Sequence, residues 1–197
     1  MTATVADMAG WRTRVVLAVS IAVLIAGCAG GGEADGPVVT PIPDLPERQP
    51  RGETLDALVV DRVVDGDTVK VTLDGQQVSV RLIGINTPET VKPDSPVECF
   101  GPEASDFAKE LLDGQPIVLE FDDSQGYYDR YDRVLAYIWR VQPDGSLRLF
   151  NEEAVAGGFA YERQYTDDPY AWRTEFAAAQ DRARQSGYGL WSACDQP

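Results

Sequence analysis

The stretch Asp65-Gly66-Asp67-Thr68-Val69-Lys70-Val71-Thr72-Leu73-Asp74-Gly75-Gln76-Gln77-Val78-Ser79-Val80-Arg81-Leu82 contains two alternating apolar runs on either side of a turn dipeptide. Val69, Val71 and Leu73 share one face of a strand. Val78, Val80 and Leu82 do the same on the next, and Asp74-Gly75 between them is a hairpin signal. With the apolar run over residues 58–64 in front, the pattern predicts a three-strand antiparallel meander.

Working outward, a loop containing Pro93 and Pro96 leads into residues 102–112, where Ala104, Phe107, Ala108, Leu111 and Leu112 fall on one helical face and Gly114 marks the end. Residues 117–121 and 134–141 read as two further strands, and Pro143-Asp144-Gly145-Ser146 as a turn. Asn151 is the expected cap of a short helix ending at Gly157-Gly158. Asp168-Pro169 reads as the start of a C-terminal amphipathic helix running to Gly187. Five short strands with inserted and appended helices predict an α+β domain over residues 56–197. Its expected core is a five-stranded β barrel of OB type that binds ligands at its face or mouth.

The chain has 197 residues, 44% of them hydrophobic, enough for one ordinary domain. Residues 1–27 carry Arg12 and Arg14, then an uncharged apolar run over residues 15–26. That run is shorter than the roughly 17–25 residues of a membrane-spanning helix, so it reads as a secretion signal. It ends in Ile25-Ala26-Gly27-Cys28, which resembles a bacterial lipobox. The resemblance implies cleavage before Cys28 and a lipid anchor on its sulfur, holding the protein on the outer side of the cell membrane. Residues 28–55, rich in Gly and Pro, read as a flexible tether.

Beyond the anchor cysteine stand Cys99 and Cys194, and in an oxidising compartment they are expected to be bridged. Formal net charge is −15, which disfavours general attraction to nucleic acid. No histidine is present, which excludes a Ser-His-Asp triad, a Cys-His pair and a His-ligated zinc.

The chemistry concentrates around the meander. Asp67 shares parity with Val69 and Val71, so its carboxylate faces the barrel side, where a charge needs a cation or a donor. Arg81 precedes Leu82-Ile83-Gly84-Ile85-Asn86-Thr87-Pro88-Glu89, a run that gathers a guanidinium, an amide and a carboxylate near one strand end. Hard divalent cations take oxygen ligands, a phosphodiester suits a guanidinium fork, and an attacking water needs a base. These residues fit metal-assisted phosphodiester hydrolysis. Asp129-Arg130-Tyr131-Asp132-Arg133 adds further cations and a phenol.

The motifs Val64-Asp65-Gly66-Asp67-Thr68, Arg81, Thr87-Pro88-Glu89, Gly101-Pro102-Glu103-Ala104, Arg133 and Leu190-Trp191-Ser192, in this order and spacing, resemble the staphylococcal nuclease (thermonuclease) family over residues 56–197. The resemblance implies a Ca2+-dependent enzyme acting on DNA and RNA. It implies Asp67, Asn86 and the Thr87 carbonyl as metal ligands, Glu89 as the group that activates water, and Arg81 and Arg133 on the phosphate. Arg130 and Tyr131 would hold the substrate's terminal phosphate, and Tyr161 or Tyr165 would stack a base. A monomer is expected. Asn86 stands where the family has a carboxylate, so weaker calcium binding is expected. The competing expectation is a catalytically inactive OB module binding oligonucleotide or a protein partner, which the acidity and Asn86 favour and the intact Asp67, Arg81, Glu89 and Arg133 oppose.

Overall fold

The computed structural model describes residues 43–90 and 96–195. The expected leader and Cys28 lie outside the described residues, as does the first part of the expected tether. Among the described residues no helix is long and apolar enough to cross a membrane.

The meander forms as its alternation requires. Strand β1 (Thr54–Asp65) pairs antiparallel with β2 (Thr68–Leu73), and β2 with β3 (Gln76–Leu82) in unbroken register from Leu73 opposite Gln76 to Thr68 opposite Arg81. A two-residue strand, β4 (Ile85–Asn86), follows. Helix α1 (Gly101–Leu112) buries Ala104, Phe107, Ala108 and Leu112 and leads into β5 (Pro116–Glu120). Strand β6 (Val134–Val141) pairs antiparallel with β5 and, through residues 134–136, parallel with β3. Since β5 also pairs with the first half of β1, the sequence of neighbours β1-β2-β3-β6-β5 returns to β1 and closes a five-stranded OB-type barrel. Two irregularities in the β1–β2 pairing let one twelve-residue strand serve both sides of the closure.

The Pro143–Ser146 turn leads into a short strand, β7 (Leu147–Leu149), that pairs antiparallel with the end of β6, and helix α2 (Phe150–Ala156) follows. A second small ladder joins β4 to β8 (Tyr161–Glu162), and the chain ends in α3 (Arg173–Ser186) and the one-turn α4 (Leu190–Ala193). The core is a continuous cluster in which Trp139, Trp172, Tyr137, Phe150 and Phe176 are the largest fully buried side chains.

Three expectations are corrected. Asn151 does not cap α2. It lies within the first turn, fully buried, accepting from the Ile138 N–H at 3.0 Å and donating to the Ile83 carbonyl at 2.9 Å, so its amide ties β6 to the segment after β3. Helix α3 begins at Arg173 and not at Asp168-Pro169, because Tyr170 and Trp172 are drawn into the core and the Ala171 N–H is claimed by Asp122 at 2.8 Å. The described part of the expected tether is anchored. Arg48 forms a two-pronged ion pair with Glu152 at 2.6 and 2.8 Å, and Arg51 lies 3.7 Å from the Trp172 ring centroid while pairing with Glu175.

One buried carboxylate organises that corner. Glu120, fully buried, accepts from the indole N–H of Trp139 (2.7 Å) and Trp172 (3.1 Å) and from the backbone N–H of Arg51 (2.6 Å) and Gly52 (2.9 Å). Four donors satisfy a charge that burial alone would make very costly. The Cα atoms of Cys99 and Cys194 lie 5.9 Å apart, with a bond between their sulfurs.

Candidate active site

The site is built at the end of the meander. The Leu82 N–H donates to the Asp67 carbonyl at 2.9 Å, extending the β2–β3 ladder by one bond and holding Asp67 beside Arg81. The Asp67 carboxylate, 7% exposed, faces inward as strand parity requires. Its Oδ2 accepts from the Thr87 N–H at 3.0 Å and pairs with the Arg81 guanidinium at 3.0 Å, while Oδ1 accepts from the Thr68 hydroxyl at 3.0 Å. Gly66 makes this approach possible. A Cβ there would lie 2.6 Å from the Thr87 methyl carbon, so the glycine of Asp65-Gly66-Asp67 is set by close packing of the Thr87 turn.

Arg81 is buried to 8% exposure despite its solvent-side parity. Besides Asp67 it donates to the Leu82 carbonyl at 2.8 Å and to the Tyr165 hydroxyl at 2.9 Å. The Tyr165 hydroxyl in turn donates to the Asn86 side-chain oxygen at 2.8 Å. The network therefore links Asp67, Arg81, Tyr165 and Asn86 from four separate segments.

Arg133, at the entrance to β6, is held by Asp129, whose Oδ2 accepts from Nε at 2.7 Å and from a terminal nitrogen at 2.6 Å. Burial opposes ionisation of Asp129. The N–H groups of Arg133 and Tyr131 and the Arg133 guanidinium outweigh it and hold the carboxyl below its ordinary range. Arg130 and Arg133 both lie over the ring of Tyr131, at 4.8 and 5.4 Å from its centroid.

Two clefts meet here. The smaller, about 240 Å³, is lined by Asp65, Asp67, Asn86, Thr87, Glu89, Arg81 and Arg133 among others. The larger, about 470 Å³, is lined by Arg130, Tyr131, Tyr128 and Arg163 and shares Arg81, Arg133 and Tyr165 with the first. A charged cleft thus opens into one edged by phenols and guanidinium groups, with both arginines at the junction.

Asp67, Arg81, Asn86, Thr87, Glu89, Arg133, Arg130, Tyr131 and Tyr165 all come together as the sequence suggests. Tyr161 does not. Its backbone pairs with Asn86 across the β4–β8 ladder, and its ring stands edge-on to Trp191 at 5.4 Å, away from both clefts. Of the two tyrosines offered as the base-stacking group, only Tyr165 lines a cleft. Two contributors were not singled out from sequence. Asp129 seats Arg133, and Asp65 lines the smaller cleft while accepting from the Asp67 N–H at 3.2 Å. Burial, and after it the Asp67 charge, push the Asp65 carboxyl up to about 6.

Among the described residues no three Asp, Glu, His or Cys side chains come together closely enough to hold a metal ion by themselves. Apart from the two arginines, the smaller cleft is lined by residues that can offer oxygen, the carboxylates of Asp65, Asp67 and Glu89, Asn86 and Thr87 among them. That is the donor chemistry of a hard divalent cation such as calcium. The mutual repulsion of Asp65 and Asp67 is the kind of strain that such a cation relieves.

The sequence profile of the family described as Staphylococcal nuclease homologue matches residues 79–193. The chain is 41% identical to the thermonuclease of Staphylococcus hyicus over 131 residues, covering 66% of this chain and 73% of that protein. It is 38% identical to the thermonuclease of Staphylococcus intermedius over 178 residues, covering 90% and 94%. Endonuclease YncB of Bacillus subtilis is 33% identical over 137 residues, covering 68% and 61%.

Proposed function

Because the chain belongs to the Staphylococcal nuclease homologue family, we propose that it is a nuclease that hydrolyses phosphodiester bonds of DNA or RNA in the cleft bounded by Asp67, Arg81, Glu89 and Arg133. The observation that carries this reading is the convergence of Arg81, on β3, and Arg133, just before β6, on a cleft that Glu89 also lines.

In this reading Glu89 accepts the proton of the attacking water. No histidine competes for that role. Arg81 and Arg133 donate to the phosphoryl oxygens as negative charge grows on them in the transition state. Both guanidinium groups are already oriented, by Asp67 and Asp129 respectively, so little reorganisation is needed when a phosphate arrives. Calcium bound through Asp67, Asn86 and the Thr87 carbonyl would supply positive charge at the phosphate and lower the cost of forming hydroxide. In the larger cleft Arg130 and Tyr131 hold a neighbouring phosphate, and Tyr165 offers a ring face to a base. The acidic net charge removes long-range attraction to polyanions, so capture depends on these local cations.

The protein acts as a monomer at the outer cell surface, anchored through lipidated Cys28. The apolar run before that cysteine and the bond between the Cys99 and Cys194 sulfurs support an extracytoplasmic location. One observation favours a second reading, an inactive module that binds oligonucleotide: the amide of Asn86 in place of a carboxylate leaves one ligand charge fewer for a cation. Digestion of denatured DNA by the purified chain, with calcium and then with chelator, separates the two. A nuclease loses activity on chelation and recovers it with calcium, whereas a binding module retains DNA uncut in both.

A further inference from the structure

Glu89 reaches the cleft on a turn that is held from the far side by residues 98–101. The Glu98 N–H donates to the Glu89 carbonyl at 2.9 Å, and the Glu89 N–H donates back to the Glu98 carboxylate at 3.0 Å. Both backbone polar groups of Glu89 are therefore engaged by a single residue.

Glu98 is itself seated by its carbonyl and by the residues that follow it in the chain. Its carbonyl accepts from the Gly101 N–H at 3.0 Å, at the start of α1. Gly101 packs so tightly against the Glu89 turn that an added Cβ would lie 2.8 Å from the Thr90 methyl and 3.0 Å from the Glu89 carbonyl oxygen. The next residue, Cys99, is bonded to Cys194 at the end of α4, 95 positions along the chain. Beyond it, Phe100 adopts a left-handed conformation (φ 67°) and lays its ring 5.6 Å from that of Phe159.

From this geometry we infer that Glu98 is a positioning residue for Glu89. It fixes the backbone from which the base projects and is itself pinned by the Cys99–Cys194 bridge and the α1 terminus. The inference rests on the assignment of Glu89 as the base. A base must sit within hydrogen-bond reach of the water it deprotonates, and displacement by about 1 Å is enough to cost up to about a hundredfold in rate. Glu98 carries this role with an exposed side chain that lines neither cleft, so its effect is on turnover and not on capture of substrate.

The test is the kinetics of the full chain on denatured DNA with calcium, comparing wild type, Glu98→Ala, Glu98→Gln and Glu89→Gln. Glu98→Ala is expected to lower kcat about tenfold or more with KM unchanged, and Glu98→Gln to recover most of that loss, because its amide oxygen still accepts the Glu89 N–H. In a Glu89→Gln background, Glu98→Ala is expected to cost nothing further. Equal kcat in Glu98→Ala and wild type, or equal losses in the Ala and Gln variants, overturns the positioning role while a low kcat in Glu89→Gln keeps the assignment of the base. Wild-type kcat in Glu89→Gln overturns both.

Discussion

The Arg81 guanidinium and the Asp67 carboxylate are paired at 3.0 Å on the barrel rim, both nearly withdrawn from solvent. The same guanidinium spans the Leu82 carbonyl and the Tyr165 hydroxyl, which only a planar fork can do at once. Arg81→Lys is therefore expected to cut kcat/KM by about a hundredfold or more although charge is kept, as initial rates on denatured DNA would read. Near-wild-type rates would mean that the fork is not used.

Asn86 receives the Tyr165 hydroxyl at 2.8 Å through its side-chain oxygen, an arrangement that a carboxylate would accept equally well. Asn86→Asp adds a ligand charge, and calcium affinity is expected to rise by about tenfold or more, measured by calorimetric titration. Unchanged affinity would remove Asn86 from the ligand set.

Glu120 is surrounded by four N–H donors and offers oxygen to each. Glu120→Gln would turn an amide NH2 toward donors that need an acceptor. It is expected to destabilise the fold by roughly 2–4 kcal/mol, read from denaturant unfolding, a large effect for an isosteric change. The proposed active-site cleft lies elsewhere, so the KM of the folded fraction should hold.

The Cys99–Cys194 bridge closes a segment with a sequence separation of 95. Chain entropy alone assigns about 4–5 kcal/mol to such a loop, so reduction, or Cys99→Ser with Cys194→Ser, is expected to lower the unfolding free energy by an amount of that order. The same denaturation experiment with and without reductant reads it.

Much of the barrel could be read from apolar patterning, because β2 and β3 alternate while β5 and β6 are short continuous apolar runs, and each puts its apolar residues where burial later requires them. What alternation missed depends on partners distant in sequence. Thr54 and Leu55, at the start of β1, pair with β5 only once the barrel closes, so they looked like tether. Asn151 and Glu120 are polar residues fully buried by donors and acceptors from other elements, and no local pattern announces them. Asp168-Pro169 is a sound helix start by local rules, but burial of Tyr170 and Trp172 outweighs it. In the site, Asp67, Arg81 and Glu89 stood out because their chemistry clusters along the chain, whereas Arg133 was reached only through the family resemblance. Asp65 did not stand out, since an aspartate before glycine more often serves a turn.

The most direct test of the proposed nuclease site is the single-turnover rate of the full chain on denatured DNA with calcium for wild type, Glu89→Gln and Arg133→Ala, each checked for native folding by circular dichroism. Rates lower by orders of magnitude in both variants, with wild-type activity abolished by chelator, are the predicted result. Folded variants that cut DNA as fast as wild type would contradict the assignment.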